Sequence, residues 1–450
     1  MRFGANTLQI MRDTLVRVVG SLAGQAPGKP ISRYTCTLLF AGLAVSMALL
    51  GGMWAKHAYH RAFPLVSLRD NVWFQGDCVS VFYQMASLDP KGQGRTNRHP
   101  IQTLATMPFV LALRKGAGLS KEAAVGCTIV LNSALNSLLF FIVAHGLTKR
   151  LLLATAGSLL YLSSAAFMFW AGVPESFVMG ATTLLVVVLA AQLTPQVLHK
   201  GVRAFLASLV AALSAGITVT NGMAGAWYLF LYHRRRVVTF GAYAHCLLSI
   251  LWLLQSLFVP GTKFYLMRDS WDQNYVFRKT AGGPLERLKV MAVDSVLMPP
   301  VRLDLGHWDG QPYANATIRG ASFAEGRLAD GIVVVWAVCL VGAFVIVFRK
   351  ERSSKECVLI LGILLSQWFL HFIYGDEIFL YAAHWTPFVI LVVVIALRSF
   401  RWRNTAAVGL MCLSIAVAVH NKREFDRCIS LLEEWHKGPR ASLEINSSAQ

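Results

Sequence analysis

The chain has 450 residues, 55% of them hydrophobic and only 14% charged, where ordinary soluble domains carry about a quarter charged residues. Apolar runs recur from residue 35 to residue 420, which excludes a water-soluble globular enzyme and predicts an all-α polytopic membrane protein. The formal charge of +19 does not point to nucleic acid, because the Lys and Arg residues fall in short runs between apolar segments rather than on one domain.

Residues 1–34 read as a basic cytoplasmic arm without a signal-peptide cleavage pattern. Spans are predicted near 35–55, 123–147, 151–171, 174–193, 203–220, 221–232, 238–258, 330–348, 357–374, 378–397 and 404–420, about eleven in all. The segment 221–232 is short and glycine-bearing, as a broken helix would be. The eight Cys are scattered, with no CxxC pair, and read as core residues rather than a disulfide framework.

The stretch "HPIQTLATMPFVLAL" (99–113) contains two prolines and as a helix would reach only about 22 Å, too short to cross comfortably. If it stays on one side, the basic runs at 148–150, 199–203, 233–236, 349–355 and 398–403 share the side of the N-terminal arm. The positive-inside rule favours that arrangement, with 114–121 as the single exception. The outer face then receives loops 56–122 and 260–329, the turns around Val173, Asn221 and Tyr374, and a C-terminal tail (421–450). The transmembrane domain is 35–420, in a membrane that suits a bacterial inner membrane.

The first external loop is partly apolar. "CVSVFYQMASL" and "IQTLATMPFVLAL" read as juxtamembrane helices, and irregular chain at that depth is tolerated where it lines a cavity. Asp77 opens the first of them. It is either a helix cap or, beside Trp73, Phe74 and Phe82, a partly desolvated carboxylate suited to taking a proton. Glu175 in "VPES" follows Pro174, which suits a first helical turn, and a carboxylate there favours the positive helix end. In "FIYGDEIFLYAAHWTPF" (372–388), Asp376 and Glu377 open a span, and Glu377, Tyr381 and His384, spaced i, i+4, i+7, are expected to share one helix face. An ionisable group at the depth of His384 usually faces a cavity or a partner. Arg95, Arg98, His99, Lys263, Tyr265 and Arg268 lie in two clusters mixing cations with aromatics. Such clusters suit a phosphate headgroup, and equally an interfacial anchor. Sequons at Asn315 and Asn446 are weak signals for glycosylation.

No P-loop, HExxH, GxSxG or kinase signature is present, and the hydropathy shows no internal repeat. One span, a large outer loop with an early acid, and an "RHP" opening to a short apolar helix together resemble the GT-C superfamily of integral-membrane glycosyltransferases. That superfamily includes the lipid A aminoarabinose transferase and the protein O-mannosyltransferases. The resemblance covers the chain to about residue 200 and thereafter topology alone. Ile101 stands where relatives carry a second Pro, and no DxD or DE pair occurs in the first loop, which leaves a divalent metal as an open cofactor.

The resemblance implies a polyprenyl-phosphate-linked sugar donor, a glycan, lipid or protein acceptor, and chemistry at the external face. Asp77 is then the expected base, with Glu175 or Glu377 positioning the acceptor and Arg95, Arg98, His99, Lys263 and Arg268 on the phosphate. Two other readings stay open. A lipid-linked glycan ligase or polymerase would rest on Arg302 and His307 in the late loop, and a transporter or flippase would need no base at the surface.

Overall fold

The computed structural model describes residues 30–67, 69–88, 95–196, 200–267, 275–308, 311–321 and 326–447. Arg268 and most of the basic arm, residues 1–29, lie outside the described residues. The protein is 78% helical, and among the described residues seven helices are long and apolar enough to cross a bilayer.

In chain order the α-helices are α1 (Pro30–Val66), α2 (Cys78–Ala86), α3 (Gln102–Gly116), α4 (Lys121–Thr148), α5 (Leu151–Ser163), α6 (Ala165–Trp170), α7 (Phe177–Leu193), α8 (Lys200–Ile217), α9 (Gly222–Tyr232), α10 (Val237–Phe258), α11 (Pro284–Lys289), α12 (Arg327–Ile346), α13 (Lys355–Ile373), α14 (Ala382–Arg398) and α15 (Arg403–Ser447). The seven long apolar segments are Thr35–Val66, Lys121–Thr148, Arg234–Phe258, Arg327–Glu351, Lys355–Ile373, Ile378–Arg398 and Arg403–Lys437. Apolar segments expected as single spans at 151–171, 174–193, 203–220 and 221–232 form shorter helices.

The break in 151–171 has a local cause. Ser164 is extended, and its hydroxyl accepts from the Phe167 N–H at 3.3 Å to cap α6. The N–H groups of Ala165 and Ala166 donate to Val296 and Ser295 carbonyls at 2.9 Å, so the helix start is satisfied by a distant segment.

Apolar composition is similar in all the long helices, yet their surroundings differ. The Ile378–Arg398 segment is 94% buried, whereas Arg234–Phe258 is 17% buried and presents Tyr243, Ile250, Leu253 and Leu257 outward. The first is the axis of the bundle and the second its exposed apolar rim. At one end of the bundle, Arg398 pairs with Glu351 and donates to the Leu147 carbonyl at 2.7 Å, and the Lys355 ammonium lies 5.6 Å over the Tyr232 ring. Basic runs from four parts of the chain therefore meet there.

Residues 421–437, expected as the start of a C-terminal tail, continue α15, with Phe425, Cys428, Ile429 and Leu432 buried. The late loop 260–329 has secondary structure of its own. It contains α11 and an antiparallel hairpin, β1 (Arg302–Trp308) with β2 (Gln311–Thr317). The Ala316 N–H donates to the Val72 carbonyl at 2.9 Å and its carbonyl accepts from the Phe74 N–H at 3.0 Å, so the early and late loops are stitched together.

Candidate functional site

A cavity of about 470 Å³ opens at the end of the bundle opposite Arg398. Asp77, Arg95, Arg98, His99, Glu175, Tyr265, Asp376, Tyr381 and His384, drawn from five separate stretches of chain, line it. Lys263 and Glu377 are not in its wall.

The segment before Asp77 is a strained knot. Asn71, Phe74 and Gln75 have φ of 70°, 47° and 60°, a conformation that costs non-glycine residues free energy and survives only where surroundings impose it. Those surroundings are the Asn71 N–H bonded to the Gly76 carbonyl at 2.8 Å and the Gln75 N–H bonded to the Asn315 carboxamide at 3.1 Å. Beneath lies an aromatic plug in which Phe74 meets Phe379 at 5.1 Å and the Trp73 indole N–H donates to the Phe169 carbonyl at 3.0 Å. Asn315, being buried and bonded, is not an exposed sequon.

Asp77 occupies the cap position of α2, yet its side chain makes no cap hydrogen bond. Asp70 caps the helix instead. Its carboxylate accepts from the Val79 and Ser80 N–H groups at 2.8 and 3.1 Å and from the Ser80 hydroxyl at 2.6 Å. With capping done elsewhere, the Asp77 carboxylate forms an ion pair with Arg95 in the cavity wall. The sequence signal for Asp70 was only an acid seven positions upstream, which no spacing rule selects.

Arg95, Arg98 and His99 sit on a turn pinned to the end of α8. The Ile101 N–H donates to the Gly216 carbonyl at 2.9 Å, and His99 Nδ1 bonds to the Ile217 carbonyl at 2.8 Å. A Cβ at Gly216 would come within 2.5 Å of Ile101 Cδ1, so glycine permits this approach. Burial pushes His99 down to about 4. The imidazole is therefore neutral, with Nδ1 protonated and Nε2 an acceptor.

Glu175 lies in the link between α6 and α7 rather than in a first helical turn, because α7 starts at Phe177. One oxygen accepts from the Ser176 N–H at 3.0 Å, and the other is buried without a hydrogen-bond partner among the described residues. Burial raises the carboxyl to about 7, with the Arg95 cation and the Ser176 N–H pulling the other way.

The expected shared face of Glu377, Tyr381 and His384 does not form. Residues 378–381 make a 3₁₀ turn before α14 begins, so Glu377 diverges from Tyr381 and His384, which stay together in the cavity wall. Glu377 turns away to accept from the Thr317 hydroxyl at 2.5 Å and lies 3.5 Å from Arg319. Burial raises it to about 7, partly offset by Thr317 and Arg319. Asp376 receives Gln75 at 3.1 Å, Arg278 at 2.9 Å and the Thr280 hydroxyl. Burial opposes its ionisation, but Thr280, Gln75, Arg319 and Arg278 outweigh that and hold it below the usual carboxylate range. Asp376 and Glu377 thus fasten the loops over the cavity. Sequence reasoning missed Arg278 and Arg319 as their partners.

Lys263 is exposed beside the site, with its N–H on the Thr96 hydroxyl at 2.8 Å. Arg302 is exposed on β1, the strand that also carries His307. Among the described residues no three His, Cys, Asp or Glu side chains gather as a metal ligand set. Comparison with protein-family models finds no match, and comparison with curated proteins finds none at significance. The chemistry of the cavity is therefore read from its own residues.

Proposed function

We propose that the protein is an integral-membrane glycosyltransferase that moves a sugar from a polyprenyl-phosphate donor to an acceptor hydroxyl at the external face of a cell membrane. The observation that carries this reading is the meeting of unlike groups in one cavity. Arg95 and Arg98 suit an anionic headgroup, and Glu175, with an unpartnered oxygen, suits proton abstraction near neutral pH. Leu266 and Met267 in the cavity wall are 61% and 64% exposed, an apolar lip fit for a lipid tail. A soluble substrate would need no such lip.

In the reaction proposed, Glu175 takes the proton of the acceptor hydroxyl as its oxygen bonds to the anomeric carbon. The bond from that carbon to the phosphate oxygen breaks, and the lipid phosphate leaves with its negative charge beside Arg95 and Arg98. Glu175, rather than Asp77, is the base in this account. A carboxylate engaged by a guanidinium is a weak proton acceptor, and Asp77 is so engaged. Asp77 then orients Arg95.

The topology follows the same reading. We take the four short helical stretches as crossings beside the seven long ones, eleven in all, with the Arg398 end cytoplasmic by its basic runs. Helix α3 does not cross. It starts beside the cavity, and Lys121 just beyond its end lies 4.7 Å over the Tyr83 ring of α2.

A photoreactive polyprenyl-phosphate sugar tests the donor. Cross-linking to the 264–267 segment, displaced by unlabelled donor and weakened about tenfold or more by Arg95→Gln, is the expected result. Labelling spread along the lipid-facing α10 and indifferent to Arg95 would contradict it.

A further inference from the structure

The floor of the cavity holds two histidines that the reaction above does not use. His371 on α13 and His384 on α14 both line the cavity and are 2% and 0% exposed. All four ring nitrogens lack a hydrogen-bond partner among the described residues. The Tyr374 backbone lies beside His371 at a geometry too poor for a hydrogen bond. Buried polar atoms without partners are rare and mark places where a ligand completes the set.

The walls around the pair are aromatic. Tyr381 stacks on His371 with centroids 4.0 Å apart at 16°, and Phe177 stands edge-on to His384 at 5.5 Å and to Tyr381 at 5.4 Å. The two imidazoles are 6.3 Å apart, centre to centre. The approach of α7 that encloses His384 depends on Gly180, where a Cβ would fall 2.5 Å from His384 Nε2.

We infer that His371 and His384 form the subsite for the hydroxyl-bearing ring of the donor sugar. A neutral imidazole offers one N–H donor and one acceptor nitrogen, so the pair presents two of each. Neighbouring sugar hydroxyls, each both donor and acceptor, match that set. The apolar faces of Tyr381 and Phe177 fit the C–H face of a pyranose. No carboxylate or guanidinium contacts either ring in the described contacts, and an anion would find its cations at Arg95 and Arg98 instead. Among the described residues a metal ion would lack a third ligand. The cavity is thereby divided into a charged rim for the phosphate and an uncharged polar floor for the sugar, which makes the histidines determinants of donor specificity.

The inference rests on the proposed glycosyltransferase reading, and binding measurements on the full-length protein in nanodiscs separate the two. The probes are undecaprenyl phosphate without a sugar and undecaprenyl phosphate carrying glucose, galactose or mannose. Wild type is expected to bind one sugar-bearing lipid about tenfold tighter than the bare carrier, the yield of two or so net hydrogen bonds. His384→Ala removes that preference and leaves the bare carrier within twofold. His384→Asn, which keeps a donor and an acceptor, retains part of it and guards against a folding defect. Arg95→Gln weakens every probe equally. A preference that survives both histidine variants, or affinity for the bare carrier that falls with them, overturns the subsite while leaving the donor reading in place. Failure of wild type to bind any of the lipids overturns both.

Discussion

At the residue scale, Asp70, Asp77 and Glu175 divide three tasks that the sequence offered to two residues. Asp70→Ala removes the acceptor for two helix N–H groups and a hydroxyl. It is expected to destabilise the fold by about 1 kcal/mol, read as a lowered Tm in detergent. Glu175, raised by burial to about 7, is protonated below that value and ionised above it. As a base it predicts kcat/KM rising about tenfold per pH unit below 7 and levelling above. A rate that falls as pH rises through 7 would assign Glu175 the opposite role, that of an acid. Gly180→Ala places a methyl group against His384 Nε2 and the Asn221 amide, and the expected cost of forcing it in is about 1–3 kcal/mol, with loss of activity. Unchanged stability and turnover would show that the floor of the cavity yields freely.

At the element scale, the local signals were legible where a helix obeyed its own sequence. Helix α10 and helix α13 start and stop within about two residues of expectation, because hydropathy alone sets them. What was not legible came from partners distant in the chain. The 71–77 knot takes its left-handed residues from pairing with β2 more than 200 positions away, and no local pattern announces that. The 3₁₀ turn at 378–381 separates Glu377 from Tyr381 and His384 for a similar reason, since Thr317 and Arg319 claim Glu377. The hairpin is therefore a positioning element. Asn315→Ala, which strips the acceptor from the Gln75 N–H, is expected to cost about 1–2 kcal/mol and to lower turnover. Thermal melts and transfer rates on the same preparation check both, and loss of stability without loss of rate would separate the hairpin from the site.

At the scale of the whole molecule, several segments that the distribution of Lys and Arg assigned to one face converge on the cavity, and basic runs from four parts of the chain meet at the other end. A single cysteine placed at Leu266 should react with a membrane-impermeant maleimide from outside intact cells, and one at Lys350 only after permeabilisation. The reverse pattern would invert the orientation. The central claim is that this cavity transfers a sugar with Glu175 as base and Asp77 as the partner of Arg95. The direct measurement is sugar transfer from a labelled polyprenyl-phosphate donor by wild type, Glu175→Gln and Asp77→Asn at equal expression. The account predicts transfer by wild type, a loss of kcat of about a hundredfold or more in Glu175→Gln, and in Asp77→Asn a rise in donor KM that exceeds the fall in kcat. Full turnover in Glu175→Gln with loss confined to Asp77→Asn would contradict it.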